Sequence, residues 1–136
     1  MRFTTTSILT LAALATAKPT KKVSYGSWDV TATIDSAANG YKSRDILATY
    51  SNSSPNSTIT VHCSYSYLPG VPPTETDTCD DAGFSYSLGD NITLTQTVPI
   101  GKKEVKVTGT APITLSCNSA TGRYCTGETT VQAKKA

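Results

Sequence analysis

The longest unbroken alternation of apolar and polar positions runs from Thr58 to Tyr67. Ile59, Val61, Cys63, Tyr65 and Tyr67 fall on one side, and Thr58, Thr60, His62, Ser64 and Ser66 on the other. A strand turns successive side chains to opposite faces, so this period of two, rich in β-branched and aromatic residues, predicts a half-buried strand. A helix would spread the same apolar residues around its whole circumference. Cys63 is on the apolar side, which sets any bridge from it against the core. Leu68-Pro69-Gly70 ends the strand and opens a loop, Leu68–Asp77, rich in proline, threonine and acid. Long loops in a compact domain are often functional, and Cys63 is expected to staple this one back to the sheet.

The same reading extends along the chain. Trp28, Val30, Ala32 and Ile34 alternate with Asp29, Thr31 and Thr33, a strand within Val23–Ile34 that puts the sole tryptophan in the core. Asn39-Gly40 signals a hairpin turn, and Ile46–Tyr50 is a second, less regular strand. Ser51–Asn56 is a polar loop. Phe84, Tyr86 and Leu88 alternate with Ser85 and Ser87, and Gly89-Asp90-Asn91 is a turn. Ile92, Leu94 and Val98 mark the next strand, and Gln96 in their register is expected near its edge. Val98-Pro99-Ile100-Gly101 fits a type I turn. Val105 and Val107 follow, then Ile113, Leu115 and Cys117, the polar Asn118–Tyr124 loop, and a closing Cys125–Ala133 segment. About eight short strands with regularly spaced turn signals, and no helix among them, predict an all-β fold: a compact antiparallel β-barrel or sandwich. Alternation rather than continuous apolar runs leaves one face of each sheet in solvent.

Before this pattern begins, Met1-Arg2 is a basic start, Ile8–Ala15 a short apolar core, and Ala15-Thr16-Ala17 a small-x-small cleavage site. Residues 1–17 therefore read as a secretory signal peptide, too short to span a bilayer. Residues 18–136 form a single domain with a flexible N-terminal tail to about residue 22. Lys21-Lys22 is part of that solvated tail or a second processing site. No later stretch is apolar enough for a membrane span, so a secreted, extracellular protein is expected. The formal net charge is +2, which gives no electrostatic footprint for nucleic acid or an anionic membrane.

Four cysteines, all beyond the leader, read as two disulfides in a small secreted chain. Of the three possible pairings, Cys63–Cys79 with Cys117–Cys125 closes two local loops without topological demand. Each bridge is expected to contribute about 3 kcal/mol through the unfolded state. Internal pairing leaves no thiol for a bridge between subunits and predicts a monomer, or at most a weak non-covalent dimer. The cysteine spacings do not form paired zinc knuckles, and His62 is the only histidine. His62 falls on the polar side of its strand, and no serine occupies a Gly-x-Ser-x-Gly elbow. Asp77, Asp80 and Asp81 are close enough to suggest a glycosidase pair or a calcium loop, but they lack an evident cleft and the alternate-ligand spacing. The reading is therefore non-enzymatic, with no cofactor and no metal. Asn52, Asn56 and Asn91 each begin an N-glycosylation acceptor triplet; Asn56 and Asn91 sit better, at turns before strands, and Asn52 is crowded by Pro55.

One resemblance emerges from the order of these features. Tyr25-Gly26-Ser27-Trp28-Asp29-Val30 opens the sheet, a strand carries Cys63, Cys79 follows, then Phe84-Ser85-Tyr86 and the closely spaced Cys117 and Cys125. From about Tyr25 to Cys125 this resembles the fungal small secreted proteins typified by the major Alternaria allergen, which include defence elicitors of plant-associated fungi. The resemblance implies a compact antiparallel β-barrel, the same disulfide pairing, no enzymatic activity, and interaction with host plant extracellular proteins or receptors in the apoplast. The chain lacks the extra early cysteine that joins two subunits in the allergen, which argues against a covalent dimer. The leading expectation is a secreted effector or elicitor that works by protein–protein recognition, with Thr74, Glu75, Thr76 and Asp77 of the long loop as its binding surface. The polar strand face around His62 is the fallback surface. The alternative is a small-ligand or carbohydrate-binding barrel lined by Tyr65, Tyr67 and Tyr86.

Overall fold

A computed structural model describes residues 25–52, 58–118 and 123–136. The leader, the tail to residue 22, Asn56 and the centre of the Asn118–Tyr124 loop lie outside the described residues. The ladders are antiparallel throughout. The first four strands are β1 (Ser27–Ser36), β2 (Lys42–Ser51), β3 (Ile59–Leu68) and β4 (Thr74–Cys79). Next come β5 (Phe84–Leu88), β6 (Asn91–Ile100), β7 (Lys103–Pro112) and β8 (Ser116–Asn118). Last are β9 (Arg123–Gln132) and the two-residue β10 (Lys134–Lys135). Among the described residues no helix is long and apolar enough to cross a membrane.

Six strands pair in the order β4-β3-β2-β1-β9-β8, and four in the order β10-β7-β6-β5. The two sheets face each other as a sandwich and do not close into a barrel. On one side the chain runs from β9 through Ala133 into β10 and so passes from the larger sheet to the smaller. There β7 approaches so closely that a Cβ at Gly109 would collide with the carbonyl oxygen of Gln132. On the other side β4 and β5 are each the last strand of their own sheet, and no ladder joins them. That gap is why the architecture is a sandwich and not the closed barrel that the resemblance implied.

The core lies on the inner face of the larger sheet, whose register fixes which side chains share a cross-strand row. Three rows are apolar: Ile59–Tyr50–Trp28–Val131, Val61–Ala48–Val30–Thr129, and Cys79–Cys63–Ile46–Ala32–Gly127. Trp28, Tyr50, Ile46, Ala32, Ala48 and Cys63 are fully buried, and Trp28 and Tyr50 rings pack at 5.7 Å between centroids. The smaller sheet contributes Ile92, Leu94, Val98, Val107 and Phe84 to the same cluster. Trp28 is thus the core residue its register predicted.

Three local expectations change. Gln96 is fully buried rather than near an edge, because β6 is flanked by both β5 and β7. Its amide is satisfied across the sandwich: Trp28 Nε1 donates to Gln96 Oε1 at 2.8 Å, and Gln96 Nε2 donates to Asp81 Oδ2 at 3.0 Å. The expected turn at Val98–Gly101 starts later, since β6 continues to Ile100 and the reversal falls on Gly101-Lys102. Pro99 is tolerated in the strand because the β5 ladder reaches only as far as Gln96, so among the described residues no strand flanks it on that side. The long loop shrinks to Pro69–Pro73, with Thr74 directly opposite Leu68 in the β3–β4 ladder. Thr-Glu-Thr-Asp-Thr carries no apolar residue because an edge strand wet on both faces has no need of one, so its sequence reads as loop. The Asn39-Gly40 turn holds, with Gly40 at φ +93° inside a connection from Ala37 to Tyr41.

Candidate recognition site

Beyond the third row the inner face of the larger sheet changes character. The fourth row reads Asp77–Tyr65–Arg44–Ile34–Cys125–Cys117, and the fifth Glu75–Tyr67–Lys42–Ser36–Arg123. In these two rows only Cys125 is buried; the others are half-buried or exposed. The smaller sheet covers the apolar rows and leaves this end open.

Arg44 organises the open end. Its guanidinium carbon lies 4.6 Å from the centroid of the Tyr65 ring and 5.5 Å from that of Tyr86. Its Nε donates to the Tyr86 hydroxyl at 2.8 Å. Tyr65 and Arg44 come from neighbouring strands of the larger sheet, whereas Tyr86 reaches across from β5 of the smaller one. Cation–π contacts from a guanidinium to two rings hold all three side chains in place. The Tyr65 hydroxyl donates to Glu75 Oε2 at 2.7 Å. That bond to a carboxylate, more than any other influence, raises the phenol above its ordinary range.

Beside this cluster a cleft of about 340 Å³ follows the seam between β4 and β5, lined by Asp77, Cys79, Asp81, Ala82, Phe84, Ser85 and Tyr86. Among the described residues, no lysine or arginine lines it. Asp81 is committed to structure, accepting from Gln96 and from the Gly83 amide at 2.8 Å. Asp80 Oδ1 accepts from the His62 amide at 3.0 Å. Of the three aspartates, Asp77 and Asp81 both line this cleft, so the cleft that the sequence did not announce is present beside two of them, while Asp80 is not among its lining residues.

The proposed binding residues divide between faces. Glu75 and Asp77 join the aromatic cluster, while Thr74 and Thr76 lie on the outer face, where the Thr76 and Ser66 hydroxyls meet at 2.8 Å. They sit on a strand rather than a loop. Tyr65, Tyr67 and Tyr86 share the open end, as a ligand-lining role would require. His62 is exposed on the outer face, its Nε2 3.0 Å from Asp45 Oδ1, next to a shallow hollow with the exposed Leu47. Both disulfides form as expected, Cys63–Cys79 and Cys117–Cys125, each across directly paired residues with Cα atoms 4.0 Å apart, and no described cysteine is free. Intramolecular bridges of this kind accord with an oxidising, extracellular setting. Of the glycosylation candidates, Asn91 is exposed at the start of β6, and Asn52 is half-buried with its side chain bonded to Tyr50.

Sequence reasoning missed Arg44. The signal was present, since Arg44 keeps step with Ile46, Ala48 and Tyr50 and is the one charged residue among them. A charge in an apolar register marks a position where the core face emerges from cover. Compared with protein-family models, with curated proteins and with solved structures, the chain matches none.

Proposed function

We propose that this chain is a secreted, non-enzymatic recognition protein of the fungal effector and elicitor type, acting on a host plant extracellular protein or receptor. The observation that carries the reading is Arg44 held between Tyr65 and Tyr86 on the uncovered end of the larger sheet. Tyrosine and arginine dominate binding energy at protein interfaces, most of all where their conformations are already fixed. Two internal disulfides and the leader-like start of the chain support the extracellular part of the reading, and the resemblance to secreted fungal elicitors supports the plant host.

Affinity capture from apoplastic fluid, together with leaf infiltration of the purified protein, tests it. Wild type is expected to retain a plant protein and to trigger a defence response. Arg44→Ala is expected to weaken both about tenfold, the scale of one lost hot-spot side chain, with an unchanged circular dichroism spectrum. A wild type that captures nothing and elicits nothing refutes the function. Full activity in Arg44→Ala moves the surface elsewhere, first to the face around His62. The three tyrosines also suit a carbohydrate, with apolar rings and polar tips. Calorimetric titration with plant cell-wall oligosaccharides tests that second reading, because Trp28 is fully buried and reports poorly on this surface.

A further inference from the structure

Among the described residues, the seam between β4 and β5 presents two unpaired sheet edges. Cys63 and Cys79 are directly opposite at a Cα separation of 4.0 Å, the short spacing of a non-hydrogen-bonded antiparallel pair. The alternation of such pairs then turns the N–H and C=O groups of Cys79, Asp77 and Glu75 away from β3, toward the open edge. The bond from the Asp80 amide to the His62 carbonyl, 3.1 Å, agrees with that phase. On β5 the bond from the Thr97 amide to the Gly83 carbonyl, 3.1 Å, sets the complementary phase and turns the backbone of Tyr86 outward. The cleft of about 340 Å³ lies between these two edges.

We propose that this seam is a strand-addition site for a basic, extended peptide segment. The inference rests on the recognition reading and names the mode and chemistry of the partner. A strand laid antiparallel on β4 continues the cross-strand rows. Alternate side chains then stand opposite Glu75 and Asp77, where a positive charge is favoured. The intervening ones stand opposite Thr76 and Thr78, where hydroxyls pair as Ser66 and Thr76 already do. A second copy of β4 is disfavoured, because it brings acid against acid at those positions. Acidic side chains on an exposed edge guard it against self-pairing, and here the same charges select a basic strand.

The probe is a fluorescein-labelled peptide of about eight residues, alternating lysine and threonine and long enough to span β4. Its glutamate–threonine counterpart and a form N-methylated at the pairing amides serve as controls. Fluorescence anisotropy with the intact protein is expected to show saturable binding of the lysine–threonine peptide, about tenfold weaker or worse for either control. Hydrogen exchange is expected to slow at the Asp77 and Cys79 amides when the peptide is bound. Asp77→Asn is expected to weaken binding, and Asp77→Pro, which also removes the outward N–H, to abolish it while circular dichroism and both disulfides are retained. No binding by the lysine–threonine peptide overturns the proposal. Equal binding by the N-methylated form also overturns it, reducing the contact to charge alone. Capture of a plant protein by Asp77→Pro at wild-type strength overturns strand addition and leaves the recognition function standing.

Discussion

Replacing Gln96 with leucine removes a fully buried polar bridge between the two sheets. Gln96 is fully buried and accepts from Trp28 Nε1 at 2.8 Å while donating to Asp81 Oδ2 at 3.0 Å. Leucine fills a similar volume but offers no acceptor, and Trp28 has no exposure through which water can replace it. An orphaned buried donor costs about 1–3 kcal/mol. Asp81 is only half-buried, so its lost bond is largely replaced by water and adds at most about 0.5 kcal/mol. The added apolar burial returns roughly 1 kcal/mol. The balance centres on a destabilisation of about 1 kcal/mol, which lowers the melting temperature by roughly 5 °C for a domain of this size. Urea unfolding followed by Trp28 fluorescence and by circular dichroism measures it. A double-mutant cycle with Trp28→Phe isolates the bridge. Once the indole N–H is gone, Gln96→Leu should cost at least about 1 kcal/mol less than it does in the wild-type background. A Gln96→Leu protein as stable as wild type, or a coupling near zero, refutes the reasoning.

Two further outcomes follow from the same geometry. The Cys63–Cys79 bridge spans 16 residues and Cys117–Cys125 spans 8, so loop-closure entropy predicts losses of about 3 and about 2.5 kcal/mol when each pair is replaced by alanine. Denaturant midpoints of the two double variants check this, and a larger loss from the shorter loop contradicts it. Tyr65 is held neutral by its bond to Glu75, so its phenol ionises above the ordinary tyrosine range. A raised pKa in the folded state means that the contribution to stability is complete below the unfolded value of about 10 and is lost as pH rises through the folded value. Phenolate absorbance should show Tyr65 lagging, along with Tyr50, whose phenol is raised by burial. Glu75→Gln should bring Tyr65 back toward the ordinary range, and an unchanged titration after that substitution counts against the hydrogen bond as its cause.

How much of this was legible in the sequence depended on whether a residue's partners lay in its own strand or elsewhere. Trp28, Val61 and Cys63 declared themselves because burial on one face imposes period two on their own segment. The disulfides were legible because both close locally. β4 was not, since Thr74–Cys79 meets solvent on both faces and pairs along one edge only, so no alternation is imposed on it. Gln96 was misplaced for a related reason: its polarity suggested an edge, yet its partners are a tryptophan in the opposite sheet and an aspartate at the β4–β5 corner.

Arg44 is the instructive case, because its sequence position and its environment say different things. Its register is that of the core, and a leucine there would extend the apolar rows by one. The smaller sheet does not reach that far, so the fourth row is neither interior nor open surface. An arginine suits that border: its guanidinium reaches two aromatic faces and one hydroxyl while keeping its charge at the uncovered end. Those contacts join β2, β3 and β5, so they tie the larger sheet to the smaller beside the seam that no ladder closes. The side chain that fixes the aromatic surface therefore also holds the edges of β4 and β5 in the geometry that an added strand would meet, and the two proposed binding features rest on one local cause.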